Sequence, residues 1–236
     1  MKTTFLHPFI WGTILTLASS CSKPDAIIIR EKEFDTPSFT QVYKENIEHV
    51  DIRPGAQRSV KARLSEAQFD NLTVQVVNDT LYIALAEKDL IARSQHTVHI
   101  VMPQLQSAWV KGNGTAQVSG FDQTGMITLQ VAGTKVLQAS VRTDVLRVKA
   151  TDQTRAVIKG QATRLRAYVH QKAIVDGFQF PVQHADAIGY DHGKIFTVVS
   201  NTLTASAIDN AQIFFKGKPA NRFTSETENG KVHDLE

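Results

Sequence analysis

From residue 107 the chain reads SAWVKGNGTAQVSGFD: an alternating apolar run, an Asn113-Gly114 turn, a second alternating run and a Gly-Phe pair. Alternation sends successive side chains to opposite faces of a strand, so this segment predicts two short strands joined by a tight turn. Turn residues recur at Gly133-Thr134, Asp152-Gln153, His170-Gln171, His192-Gly193, Asn210 and Asn229-Gly230, spaced about 18 to 22 residues apart. That is the regime of stacked solenoid coils. Apolar-polar-apolar triplets keep step with the turns: LQV at 129-131, LRV at 146-148, LRA at 165-167 and LTA at 203-205. They predict Leu129, Val131, Leu146, Val148, Leu165 and Ala167 facing inward, with Gln130, Arg147 and Arg166 facing out. AIGYDHG at 187-193 reads as a degenerate member of the series. An antiparallel sandwich with two strands per repeat has the same spacing. The triplet favours coils, because its recurrence at full repeat length lets equivalent residues stack and bury a shared core.

Upstream, FTQVYKENIEHVDIRPG, SVKARLSEAQFDNLTVQVVNDTLYIAL and HTVHIVMPQL alternate without the repeat. Residues 34-105 therefore predict a strand-rich block that starts the stack and covers its end, where an open solenoid would expose unpaired backbone groups. The predicted fold is all-β: a β-solenoid, a parallel β-helix-like stack of repeats of about 19 residues. It occupies residues 34-236, with 34-105 as the N-terminal part and 106-236 as the repeat stack.

The first residues, MKTTFLHPFIWGTILTLASSC, follow a different logic. Lys2 is a short basic start, and the apolar run from Phe9 to Ala18 is shorter than the roughly 20 residues a membrane span needs. Ala18, Ser19 and Ser20 lead into Cys21, the one cysteine of the chain. This resembles a bacterial lipoprotein signal. Residues 1-20 are then a signal peptide, Cys21 is the lipidated first residue, and 21-33 is a tether, although AIII also fits a first short strand. A plain secretory signal is the rival. The implied location is the bacterial envelope, as an outer-membrane lipoprotein held through its N-terminal lipid, with the side of the membrane left open.

Several segments together resemble a known family: FDTPSFTQVYKENIEHVDIRPG, VQVVNDTLYIAL, VHIVMPQLQSAWVKGNGTAQVSGF and the closing ASAIDNAQIFFKGKP. Their order is similar to the GIN-domain family of putative auto-transporter adhesin head domains, common in Bacteroidetes lipoproteins. The family's repeated SGSGD turn survives here only as KGNGT, VAGTK and TENGK, while FFKGKP matches the family's closing motif. The resemblance implies a β-solenoid on the envelope with a binding or adhesion role and no catalytic residues to carry over.

Charge and chemistry refine this picture. A net charge of +3 does not point to nucleic acid. Nine Lys and Arg between residues 130 and 172 face only Asp144 and Asp152, a local excess of +7 over three coils. Stacked like charges repel unless an anion offsets them. Arg147, Lys149, Arg164 and Arg166 are therefore the candidate anion-binding face, for an acidic glycan or an envelope protein; the alternative is a solvated basic face without a ligand. Trp109 and Tyr168 are the aromatic candidates for exposure, with core packing the default for each. Parallel β-helices include polysaccharide-acting enzymes, and Asp191 and Asp209, each before a turn on successive coils, are the best carboxylate pair for such chemistry. Turn formation is the simpler role for both. His96 and His99, three apart in a strand pattern, fall on opposite faces, and His170, His184 and His192 lie at or near turns; surface positions are expected rather than metal ligation. Ser119 and Ser140 lack a motif partner. The expectation is a protein without cofactor, metal or catalytic residues. A β-helix enzyme and a structural or signalling envelope accessory are the alternatives.

Overall fold

The computed structural model describes residues 28-86, 96-133 and 136-236. Residues 1-27, including the segment expected to be a signal and Cys21, lie outside the described residues, as does Lys135 of the basic stretch. No helix among the described residues is long and apolar enough to cross a membrane.

The strands in chain order are β1 (Ile29–Phe34), β2 (Gln41–Glu45), β3 (His49–Pro54), β4 (Ser59–Ser65), β5 (Leu72–Val77), β6 (Thr80–Leu85), β7 (Thr97–Met102), β8 (Ser107–Lys111), β9 (Thr115–Asp122) and β10 (Met126–Ala132). The remainder are β11 (Val136–Ala150), β12 (Arg155–Val169), β13 (Ile174–Gly189), β14 (Lys194–Ala207), β15 (Gln212–Lys216), β16 (Asn221–Glu226) and β17 (Lys231–Asp234). A short 3-10 helix, Glu66–Asn71, joins β4 to β5. The solenoid expected from the repeat is what forms. From β8 onward every pairing is parallel, as stacked coils require and a sandwich does not.

Each coil supplies one strand to each of two ladders. The first runs β5-β6-β2-β8-β10, then through the second halves of β11 to β14, to β16. The second runs β1-β4-β7-β3-β9, then through the first halves of β11 to β14, to β15 and β17. The long strands bend from one ladder to the other. In β11 the buried set is Leu137, Ala139 and Val141 before the bend, and Leu146, Val148 and Ala150 after it. The change of parity falls at Thr143, whose hydroxyl donates to the Gly125 carbonyl at 2.9 Å, and Asp144, whose carboxylate accepts the Gly125 N–H at 2.7 Å.

The core lies between the ladders. Leu129, Leu146, Leu165 and Leu203 stack in one row and Val131, Val148, Ala167 and Ala205 lie near them, all buried. The inward phase read from the triplets is correct. The degenerate coil needs a shift: Ala185 and Ala187 occupy the triplet position beside Leu165 and Ala167. AIGYDHG instead covers the strand end and the following turn.

The N-terminal ends of the two ladders are formed by antiparallel pairs, β1-β4 and β4-β7 in one and β5-β6 in the other. Two details differ from expectation. Residues 29-33 of the supposed tether belong to β1, in register with β4. The coil β2-β3 also lies within the stack, between β6-β7 and β8-β9, so stacking order departs from chain order. At the opposite end the inward positions turn polar: Arg222 on β16 pairs with Asp234 on β17 at 2.6 Å.

Candidate functional site

One edge of the stack is a ladder of turns. Asp152, Gln171, Asp191, Asp209 and Glu228 occupy equivalent positions on successive coils, all with φ between 55° and 65°. Asp tolerates this left-handed region better than most residues, because its short side chain bonds nearby backbone. The Asp152 carboxylate accepts the Gly133 N–H at 2.8 Å. That of Asp191 accepts the Gln171 N–H at 3.3 Å and lies 3.1 Å from His170 Nε2. Asp209 beside Glu228, through carboxyl hydrogen bonding first and its charge second, raises the Glu228 carboxyl above its usual pKa. Asp191 and Asp209 are thus neighbours as their spacing implied, and they occupy the left-handed turn positions.

The histidines divide. His99 faces out, with Nδ1 3.5 Å from Asp51. His184 lies on the outer row beside Arg164, and His192 is in the turn ladder. His96 is buried just before β7, contrary to the surface position expected for it. Ser119 and Ser140 sit side by side on β9 and β11.

The outer face of the first ladder carries the most distinctive surface. Strand by strand, one outward row reads Tyr82, Tyr43, Trp109, Gln130, Lys149, Tyr168, Ile188. The parallel row two residues earlier reads Thr80, Gln41, Ser107, Thr128, Arg147, Arg166, Asp186. Trp109 is 44% exposed and Tyr168 half-buried, so both face outward rather than packing in the core. Tyr43 contacts Tyr82 (ring centroids 5.4 Å apart) and Trp109 (5.1 Å, edge to face). Tyr168 contacts Tyr190 at 5.5 Å. Aromatic pairs at such distances prefer offset or edge-on geometry, so the strip holds its shape.

The four candidate anion-binding residues lie together on this face, in two environments. Arg147 and Arg166 are adjacent in register, as expected. Asp186 on the next coil then reaches Arg164 at 3.3 Å and Arg166 at 3.5 Å. Likewise Asp176 reaches Arg155 at 2.6 Å on the other ladder. The charge count along residues 130-172 omitted these acids, because neighbours in a stack come from other coils. Arg147 is exposed, and Lys149 lies over the Tyr168 ring at 5.5 Å.

Tyr43 and Tyr82 were not singled out from sequence. The alternation around Tyr43 is blurred by Lys44, which takes an inward, fully buried place and donates to the Asn113 carbonyl at 2.6 Å. The Tyr43 hydroxyl donates to Glu45 Oε2 at 2.7 Å, and Lys111 pairs with Glu45 at 2.9 Å. The hydroxyl first, then Lys111, holds the Glu45 carboxyl below its usual pKa. A lowered folded-state pKa gives stability that is present above the unfolded value of about 4.3 and is lost as pH falls through the folded value. Glu45→Gln should therefore melt below wild type near neutrality, with the gap closing as melts are repeated below about pH 4.

The sequence matches the family model described as "Putative auto-transporter adhesin, head GIN domain" over residues 38-219. A crystal structure named a putative adhesin from Bacteroides fragilis is similar at TM-score 0.79 and 13% identity, covering 89% of this chain and 98% of that one. A putative adhesin from Parabacteroides distasonis is similar at TM-score 0.68 and 14% identity, with 88% and 97% covered. A protein from the same species, named a putative lipid binding protein, is similar at TM-score 0.64 and 14% identity, again over 88% and 97%. No curated protein matches the sequence.

Proposed function

This chain belongs to the family described as "Putative auto-transporter adhesin, head GIN domain", and from that membership we propose that it is a lipid-anchored, non-catalytic binding protein of the bacterial envelope. Residues 1-20 serve as the signal, Cys21 carries the lipid, the segment up to β1 is the tether, and the solenoid presents a rigid outer face to a partner. The observation that carries the binding role is the continuous row of large, solvent-facing side chains on the first ladder, held at strand spacing by parallel pairing. The best carboxylate pair supports the non-catalytic role, since Asp191 and Asp209 hold left-handed turn positions and Asp191 accepts a main-chain N–H. One neighbour is named for lipid binding; a lipid held between the ladders has no support here, because that space is filled by side chains such as Leu129, Leu146 and Leu165.

Stable anchoring takes more than one acyl chain, each contributing about 0.8 kcal/mol per buried CH₂, and a lipidated N-terminal cysteine provides several chains. Cys21→Ala is expected to move the protein from the membrane fraction to the soluble fraction. Retention of the variant on membranes after a high-salt wash overturns the lipid anchor. Adherence of cells lacking the protein, compared with cells expressing it, tests the binding role separately; unchanged adherence overturns it.

A further inference from the structure

We propose that the outer face of the first ladder is a platform for an extended anionic polysaccharide, whose sugar rings lie along Tyr82, Tyr43, Trp109 and Tyr168 while its acidic groups meet Arg147 and Lys149. This rests on the binding role above and names its ligand class and site.

Three features converge on it. The aromatic strip is outward-facing and in continuous contact from Tyr82 to Trp109, and an exposed tryptophan on a flat strand face offers an apolar surface for the C–H face of a sugar ring. The neighbouring row is made of hydroxyls and amides, Thr80, Gln41, Ser107 and Thr128, which run parallel to the strip and suit ring hydroxyls. Ser107 and Gln41 already hydrogen-bond at 3.0 Å, so their polar ends are held in place. Both rows then become cationic on the same strand, at Arg147 and Lys149. These follow Thr128 and Gln130 directly and precede Arg166 and Tyr168.

The dimensions suit a polymer. Strands lie about 4.8 Å apart, so Tyr82 to Tyr168 spans about 24 Å and Trp109 to Tyr168 about 14 Å. A chain laid across the strands thus meets aromatic surface, then the cationic pair, then aromatic surface again. The complementary ligand is a hydroxylated chain whose acidic groups recur along it, as in polyuronates and sulfated glycans, so that some of them meet Arg147 and Lys149 in any register. Single-stranded nucleic acid also favours aromatic and basic surfaces. Here, however, the row beside the rings is Thr80, Gln41, Ser107 and Thr128, neutral side chains that offer a phosphate backbone no cation before Arg147. A bilayer surface fits less well, because the second row is hydroxyl and amide rather than apolar.

The test is affinity electrophoresis of the purified full chain carrying Cys21→Ser, so that no acyl chain contributes. Gels contain polygalacturonate, heparin, neutral dextran or oligo-deoxythymidine, each across a salt series. Retardation is expected with both anionic polysaccharides, weakening as the Debye length falls from about 10 Å at 0.1 M to about 3 Å at 1 M. Trp109→Ala should weaken it at least about tenfold, the loss typical of a central aromatic anchor, with the melting temperature unchanged. Arg147→Gln with Lys149→Gln should flatten the salt dependence. Lys159→Gln with Lys194→Gln, the same charge change on the second ladder, should stay within about twofold of wild type. Equal binding to dextran, no loss in Trp109→Ala, an equal loss in the second-ladder variant, or tighter binding to oligo-deoxythymidine each overturns the platform. So does absence of retardation in both anionic gels. If adherence of cells still depends on the protein in any of those cases, the wider binding role stands and only the platform falls.

Discussion

Val148→Asp is expected to abolish cooperative folding at ambient temperature. Val148 is fully buried and sits in register between Leu129 on β10 and Ala167 on β12. An aspartate there places a carboxylate among aliphatic side chains with no cation to meet it. Burying an unpaired charge belongs to the few mechanisms that cost more than about 4 kcal/mol, a large part of the 5 to 15 kcal/mol by which domains are stable. Arg147→Asp, one residue away, faces solvent beside Arg166. It replaces a like-charged neighbour by an opposite one, and its effect should lie within about 1 kcal/mol of zero, on the stabilising side. Thermal melts followed by circular dichroism compare the two. Equal destabilisation would mean that the strand is out of phase by one residue, which exchanges its inner and outer faces.

Gly160→Ala should be nearly as damaging, by a different route. Gly160 has φ +108° and lies in register with Val141 on β11. A Cβ at this position would come 2.0 Å from the Val141 carbonyl oxygen, which is main chain and unable to rotate away. The two strands would have to part just where the coil leaves one ladder for the other. Gly125 separates this effect from backbone strain: its φ is +88°, yet a Cβ there meets nothing within 4 Å. Gly125→Ala should cost only the strain of a sparsely populated conformation, about 1 to 3 kcal/mol. Gly160→Ala should exceed it by at least about 2 kcal/mol, in the range of overpacked sites. Chemical denaturation of the two variants measures the difference; similar midpoints would mean that the parallel pairing at Gly160 is looser than described.

The parts of this fold that were legible in the sequence are those that repeat. The turns at Asp152, Gln171 and Asn210 recur because each coil must reverse at the same edge, and Leu129, Leu146 and Leu165 recur because each fills the same layer. A one-dimensional period reports both. It reports poorly where one coil departs from its neighbours: Ala185, standing where the others have leucine, is less conspicuous in the sequence than AIGYDHG. The candidate site was half legible. Arg147 and Arg166 follow from the period, but the acid that engages Arg166 comes from the next coil, and no count along the chain weighs Asp186 against it. Tyr43 and Tyr82 were hidden more deeply. Their contact with each other and the approach of Tyr43 to Trp109 depend on β2 lying between β6 and β8, while the buried Lys44 disguises the alternation that would have marked Tyr43 as outward.

That placement of β2 and β3 also bears on how the molecule assembles. Coils from β10 onward can dock in the order in which they leave the ribosome, each finding its predecessor already formed. The coil of β2 and β3 cannot, because both of its neighbours, the pair β6 and β7 and the pair β8 and β9, are synthesised after it. It must wait with unpaired strand edges until they arrive, and closing such non-local parallel pairings is intrinsically slow. These pairings, all within the N-terminal half of the chain, are expected to close more slowly than the coil-by-coil docking that follows. Substitutions that weaken β2 or β3 will prolong the interval in which those edges are open to pairing with other chains, even when the finished solenoid tolerates them.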